Sequence, residues 1–338
     1  MITYIVIIVA IALIFDFANG FNDAANSVAT IVATRVLTPR LAVLWAAFFN
    51  FIAAFFFETH VAATISKGIV DQAIVDPHLI LAVLLSAITW TVLCTYRGLP
   101  ISVSHSLIGS MIGAGMVKAG IGCLKWSKIG EISVYIVIAP LAGLVLGWIL
   151  MVATIWVCRN KTPRGVDSWF RRLQLVSAGA FSLSHGLNDA QKTMGIIMLL
   201  LLSNPALAKY ATIDGANTGH PRWWIILSCH FAIALGTYLG GWKVVHTLGH
   251  RVTKLQPVGG FCAETGGGVT IIGLSALGIP LSTTHTITGA IFGVGLTRRL
   301  SAVRWSVGGK IITAWVLTLP AAAAMAGAIF WIISKLVY

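Results

Sequence analysis

The chain has 338 residues, of which 57% are hydrophobic and only 10% charged, and its mean hydropathy is +0.90. A soluble domain carries about a quarter charged residues, so the composition excludes a soluble globular fold. The net charge of +13 is assigned to basic loops flanking membrane spans, not to a nucleic-acid partner.

Apolar runs over 2–18, 41–57, 77–96, 131–157, 223–242 and 311–334 approach or exceed the roughly 17–25 residues that cross a bilayer as helix. They do not alternate with period two, which argues against a barrel. The first run lacks a basic start and a small-residue cleavage site and is read as a span. It leads into "GFNDAANSVAT", Gly20 to Thr30. Asn19-Gly20 is expected to break the helix there, with Asn22 or Asp23 capping a second helix from about Ala24 to Val36. Irregular backbone at this depth survives only when it lines a wet cavity or is buried in protein. Glu58 follows in the apolar "FFFETHVAATISKG".

"LPISVSHS", from Leu99, places Pro100 for a helix start. The turn after it offers free N–H groups, a positive dipole end and the hydroxyls of Ser102, Ser104 and Ser106, a site suited to a tetrahedral oxyanion. His105 is placed to orient these hydroxyls or to carry protons. The loop "CRNKTPRGVDSWFRR" is set on the cytoplasmic side, with five crossings before it and five after. Fifteen Lys and Arg residues then fall inside, seven outside and Lys192 within the membrane, with both termini outside. Beyond the loop come "SHGLNDAQKT" with Asn188, Asp189 and Lys192, "GGFCAETGGGVT" with Glu264, and "IPLSTTHT" with Ser282, Thr284, His285 and Thr286. Five scattered cysteines without C-x-x-C read as packing residues, not as a disulfide frame or a metal site.

The chain repeats itself. "GFNDAANSVA" matches "GLNDAQKTMG" at an offset of 166, and "LPISVSHSLIGSMIGAGM" matches "IPLSTTHTITGAIFGVGL" at an offset of 180. "LKWS" at Leu124 matches "VRWS" at Val303. Two homologous halves are therefore expected, 1–158 and 173–338, joined by a basic linker, 159–172. An odd number of crossings in each half inverts the second against the first. The predicted fold is an all-α polytopic membrane protein of two inverted-topology repeats with broken helices and about ten to twelve transmembrane segments, the plan of many secondary transporters.

A carboxylate within a span costs about 2.5–3.5 kcal/mol on insertion scales, so Asp23 and Asp189 are read as functional. With Asn22, Asn188 and Asn26 they form an oxygen-rich environment for a hard cation, sodium or a proton. Lys192 stands where the first half has Asn26. Its ammonium would fill the place of a bound sodium or hold an anion, which favours protons; the alternative is a lysine that snorkels to an interface. Glu58 and Glu264 are candidates for proton transfer or gating, or for structural pairing. Asp16 lies one turn before Asn19-Gly20 and near the same cavity. The glycines after each hydroxyl block, Gly109, Gly113 and Gly115 and their mates Gly289, Gly293 and Gly295, are expected to permit close helix packing.

At "GFNDAAN" and "GLNDAQK" the chain resembles the PiT family of inorganic phosphate transporters over essentially its whole length. The short "NDAQKTMG" form is similar to bacterial low-affinity phosphate carriers. The resemblance implies an inverted-repeat helical fold, a homodimer in lipid, a bacterial plasma-membrane location and a part in transport for Glu58 and Glu264. Lys192 departs from the sodium-coupled members and fits proton symporters of phosphate or metal–phosphate complexes. No cofactor is expected; H+, Na+ or a divalent metal chelated by phosphate would be cargo. Sulfate permeases share the family, so proton-coupled sulfate uptake and sodium-coupled phosphate symport stay open at this point. An intramembrane hydrolase is disfavoured because the Ser/His blocks are duplicated, whereas nucleophile and base need complementary roles. A passive anion channel would conduct without a proton gradient.

Overall fold

The computed structural model describes residues 2–56, 59–213 and 220–337. They form twelve α-helices: α1 Ile2–Ala33, α2 Pro39–Ile52, α3 His60–Ser66, α4 Pro77–Tyr96, α5 Val103–Ala119, α6 Trp126–Cys158, α7 Pro163–Leu202, α8 Trp223–Leu239, α9 Trp242–His246, α10 Pro257–Ala276, α11 Thr283–Leu296 and α12 Trp305–Val337. Proline at the first turn opens α2, α4, α7 and α10, where its missing N–H costs nothing. Asp76 caps α4 by accepting from Leu79 N at 2.8 Å. On length and apolarity α1, α4, α6 and α12 each suffice to cross a membrane, and the count rises to six if the bent pairs α2–α3 and α8–α9 each make one span. The remaining long helices are α7, α5, which forms a hairpin with α4, and α10 and α11, which form a second hairpin.

The polar motif near Gly20 does not break its helix. α1 runs unbroken through Asn19, Gly20, Asn22 and Asp23, and α7 runs unbroken through Ser184 to Lys192. The second helix expected from Ala24 is a continuation of the first, and neither Asn22 nor Asp23 is a cap. Two physical reasons account for this. An intact helix satisfies every backbone group internally, the cheapest solution away from water. Gly20 is needed for close approach: a Cβ there would lie 2.1 Å from Ile233 O on α8, and one at Gly236 would lie 2.1 Å from Phe17 O.

The chain is interrupted at the hairpin tips instead. α4 and α10 end on Gly98 and Gly278, with φ of 68° and 73°, conformations that favour glycine. An extended segment then leads to Ser102 and Ser282, both at φ −92° and ψ 110°. These serines, not Pro100 and Pro280, begin α5 and α11. Each Oγ accepts from the N–H three residues on, His105 N and His285 N, at 3.2 Å. The prolines sit two residues earlier, where they keep the approach extended.

Corresponding helices make corresponding contacts. α5 packs on α12 and α11 on α6; α1 packs on α8 and α7 on α2. Glycine allows the first pair of contacts. A Cβ at Gly113 would lie 1.9 Å from Ala323 O, and one at Gly293 would lie 2.0 Å from Leu144 O. The glycine-packing expectation therefore holds at these positions. Gly113→Val or Gly293→Val is expected to destabilise the fold by about 3 kcal/mol, the upper end of ordinary overpacking, because the obstacle is backbone. Thermal unfolding in detergent checks this against Gly130→Ala and Gly309→Ala, whose Cβ atoms would meet open space.

Two large apolar clusters result among the described residues. One gathers the N-terminal half of α1 with the C-terminal part of α7, α4, α5 and α8. The other gathers the C-terminal half of α1 with the N-terminal part of α7, α2, α10 and α11. α1 and α7 thus run antiparallel, and their polar middles lie between the two clusters.

Candidate functional site

α1 carries a polar stripe at 3–4 residue spacing, the spacing of one helix face: Asp16, Asn19, Asp23, Asn26 and Thr30. All five are buried. α7 carries His185, Asp189 and Lys192 on its own stripe, all at most 2% exposed. The tip of the α10–α11 hairpin closes over both. Thr284 Oγ1 donates to Asp23 Oδ1 at 3.2 Å. Thr283 Oγ1 lies 3.2 Å from Asp189 Oδ2 and 3.4 Å from Asp23 Oδ2, so its single proton chooses between the two carboxylates. Asn26 Nδ2 donates to the Thr284 and Thr283 hydroxyls at 3.0 and 3.3 Å.

Lys192 does not snorkel. Its Nζ donates to Asp189 Oδ1 at 2.5 Å and to Leu281 O at 2.8 Å, pairing the acid and holding the hairpin tip. Asp23 and Asp189, related by sequence, therefore differ in surroundings: only Asp189 holds an ammonium.

His185 completes the cluster. Its Nδ1 lies 3.0 Å from Asn50 Oδ1. Asn50 Nδ2 faces Thr237 Oγ1, whose proton goes to backbone carbonyls, so the amide oxygen is the atom turned to the ring. The hydrogen-bond network thus assigns the proton to Nδ1. Nε2 then faces Asp189 Oδ2 at 3.4 Å and Asp23 Oδ2 at 3.7 Å without a hydrogen bond. Three acceptors around one point call for a positive charge, either a second proton on the imidazole or a bound cation. Ligand atoms of Asp23, His185 and Asp189 all lie within 4.8 Å of one another, close enough to share one.

The other sequence candidates fall into distinct roles. Asn22 Nδ2 donates to Thr95 Oγ1 and Asn188 Nδ2 to Ser275 Oγ, both at 2.6 Å, so this pair ties α1 to α4 and α7 to α10. Ser102 and Ser282 are helix caps. Ser104 Oγ donates to Leu281 O at 3.2 Å, joining the two hairpin tips. Ser106 Oγ lies 3.5 Å from Ala87 O and Thr286 Oγ1 2.9 Å from Ser282 O, so both bond to backbone. His105 and His285 meet edge to face with ring centroids 4.7 Å apart, and His285 stacks on Trp315. Glu264, fully buried, accepts from Thr30 Oγ1 at 2.6 Å, Gln174 Nε2 at 2.9 Å and Ser177 Oγ at 2.5 Å, a neutral cradle linking α10 to α1 and α7. Glu58 lies outside the described residues.

Sequence reasoning missed His185, Thr283 and the Glu264 cradle. His185 had a usable signal, since it stands four residues before Asp189 on the same helix face. Thr283 and Gln174 had none, because they reach the acids only through tertiary packing.

A family model described as "Phosphate transporter family" matches residues 19–326. The chain is 52% identical to the "Probable low-affinity inorganic phosphate transporter" of Rhizobium meliloti (strain 1021), covering 94% of this chain and 92% of that one. It is 38% identical to the protein of the same name from Bacillus subtilis (strain 168), covering 98% of each. A solved structure described as "The sodium-dependent phosphate transporter" superposes with a TM-score of 0.87 at 28% identity, covering 99% of this chain and 100% of that one.

Proposed function

The chain belongs to the phosphate transporter family, and we propose that it imports inorganic phosphate in symport with protons. It is a multi-pass membrane transporter, not an enzyme. One observation carries the choice of coupling ion: Lys192 Nζ on Asp189 Oδ1 at 2.5 Å. A fixed ammonium sits where a sodium ion would neutralise Asp189, so the cation that cycles is a smaller one, exchanged at carboxylates and imidazole. The Asp23–Asp189–Thr283–Thr284 cluster lies between the two apolar clusters and under the hairpin tip, where a carrier needs its site.

Further features support an anionic cargo and the orientation in the membrane. The tip of the α4–α5 hairpin opens into a concavity of about 400 Å³ lined by Arg97, Lys243, His246 and Arg251. Arg97, Lys243 and Arg251 belong to the set assigned to the cytoplasmic face, an assignment that leaves both termini outside. The corresponding contacts of α5–α12 and α11–α6 support two inverted repeats, 1–158 and 173–338, whose rocking alternates access. A membrane potential negative inside opposes phosphate entry by about 2.3 kcal/mol per charge per 100 mV. Two protons make a divalent phosphate electroneutral, and a third lets the potential assist.

Sodium is the competing coupling ion, and the convergence of Asp23, His185 and Asp189 ligand atoms within 4.8 Å is the observation in its favour. Proteoliposomes loaded without phosphate separate the two. Labelled phosphate is expected to accumulate on an inward proton gradient in sodium-free buffer, and excess sulfate is expected not to compete. Accumulation that needs sodium and ignores pH would reject proton coupling; preference for sulfate would reject the cargo.

A further inference from the structure

Asp16 is the acid that the site does not use. It lies two turns before Asp23 on the same stripe of α1 and is 0% exposed. Neither carboxylate oxygen has a hydrogen-bond partner. Its neighbours are the side chains of Asn19 on α1, Thr193 on α7 and Cys229 on α8. Asn19 Oδ1 and Thr193 Oγ1 are themselves buried without partners. The charged or titratable groups facing it are His185 and Asp189 from α7 and Cys229 from α8. The nearby basic groups are already engaged: Lys192 lies on Asp189, and His185 lies between Asp189 and Asp23.

An ionised carboxylate is costly in such a place, fully buried and with the nearby basic groups held by other acids. A protonated one can, and its O–H supplies the donor that Asn19 Oδ1 or Thr193 Oγ1 lacks. A metal ion fits poorly, because hard cations take about six or more oxygens and the surroundings are otherwise apolar. Thr193 stands one turn from Asp189 on α7, so a hydroxyl separates Asp16 from the substrate-site acids.

We propose that Asp16 is a second proton carrier of the transport cycle, loaded in the state seen here and separate from the Asp23–Asp189 pair. In each cycle the Asp16 carboxylate takes a proton from the outer solution, forming an O–H bond. It releases that proton to the inner solution as phosphate crosses, which regenerates the carboxylate. This rests on the proton-symport reading above.

The test compares two modes of the whole protein in proteoliposomes. Exchange of internal for external phosphate needs no net proton release, whereas accumulation on a pH gradient does. Asp16→Asn, locked in the neutral form, is expected to retain exchange while accumulation falls about tenfold or more, as loss of an intramembrane proton carrier requires. Accumulation at the wild-type level by Asp16→Asn would overturn the proposal. Should Asp16→Asn fail to fold, Asp16→Glu decides: a shifted pH dependence of accumulation supports the role, and an unchanged one overturns it. Wild-type protein that accumulates phosphate only on a sodium gradient would overturn the symport reading itself, a result distinct from wild-type behaviour in the variant.

Discussion

Asp23→Asn and Asp189→Asn are each expected to reduce phosphate uptake by about 100-fold, and Asp189→Asn is expected to weaken the fold more than Asp23→Asn does. Each carboxylate accepts from hydroxyls of the α10–α11 tip, and hydrogen bonds to a charged group are worth roughly 1.5–3 kcal/mol apiece. Removing the charge from Asp23 leaves no ammonium stranded, since its nearest cationic neighbour is His185 at 3.7 Å. Removing it from Asp189 strands Lys192, which is 2% exposed, and breaking a buried pair costs about 3–5 kcal/mol. Thermal unfolding of the purified variants, read beside uptake, separates the two effects. Asp189→Asn combined with Lys192→Met is expected to recover stability without recovering transport. Equal stability of the two single variants would contradict the asymmetry, and full uptake by either would remove the acids from the mechanism.

Lys192→Asn is expected to exchange one driving ion for another. Asn26, its counterpart in the first half, donates to Thr283 and Thr284 and carries no charge to set against Asp23. Asparagine at 192 would remove the ammonium from Asp189, open the volume it fills and offer a carbonyl oxygen in its place. The uncompensated carboxylate, with Asp23 and His185 nearby, then attracts a hard cation. Uptake on a pH gradient is expected to fall about tenfold, and sodium is expected to stimulate what remains, because a lone charge in this medium is intolerable without a partner. Uptake in the variant that still follows pH and ignores sodium would show that Lys192 does not select the coupling ion.

Much of this was legible from residue order. Long apolar runs announced membrane helices, because a bilayer imposes a length that a count can detect. Repetition of "ND", of the Ser/His blocks and of the glycines is what led to the expectation of two related halves. Asp23, Asp189 and Lys192 stood out because charge within a span is costly. The error over Asn19-Gly20 has a physical origin. In a sequence a glycine reads as a place where the backbone is free, whereas here it is a place where another backbone comes within reach, at Ile233. The polarity is delivered by side chains from intact helices, and the free ends belong to the hairpins capped by Ser102 and Ser282.

The sequence by itself determined a helical membrane protein and the acids at its centre, since both depend on composition or on spacing along one helix. Tertiary structure alone decided which acid holds the lysine, that His185 stands between two carboxylates, that Thr283 and Thr284 come from the far end of the chain to meet Asp23, and that Glu264 rests in a neutral cradle. Those facts join residues up to 261 positions apart. Local propensity carries no record of such a pairing; it exists only because packed helices leave buried polar groups no other partners.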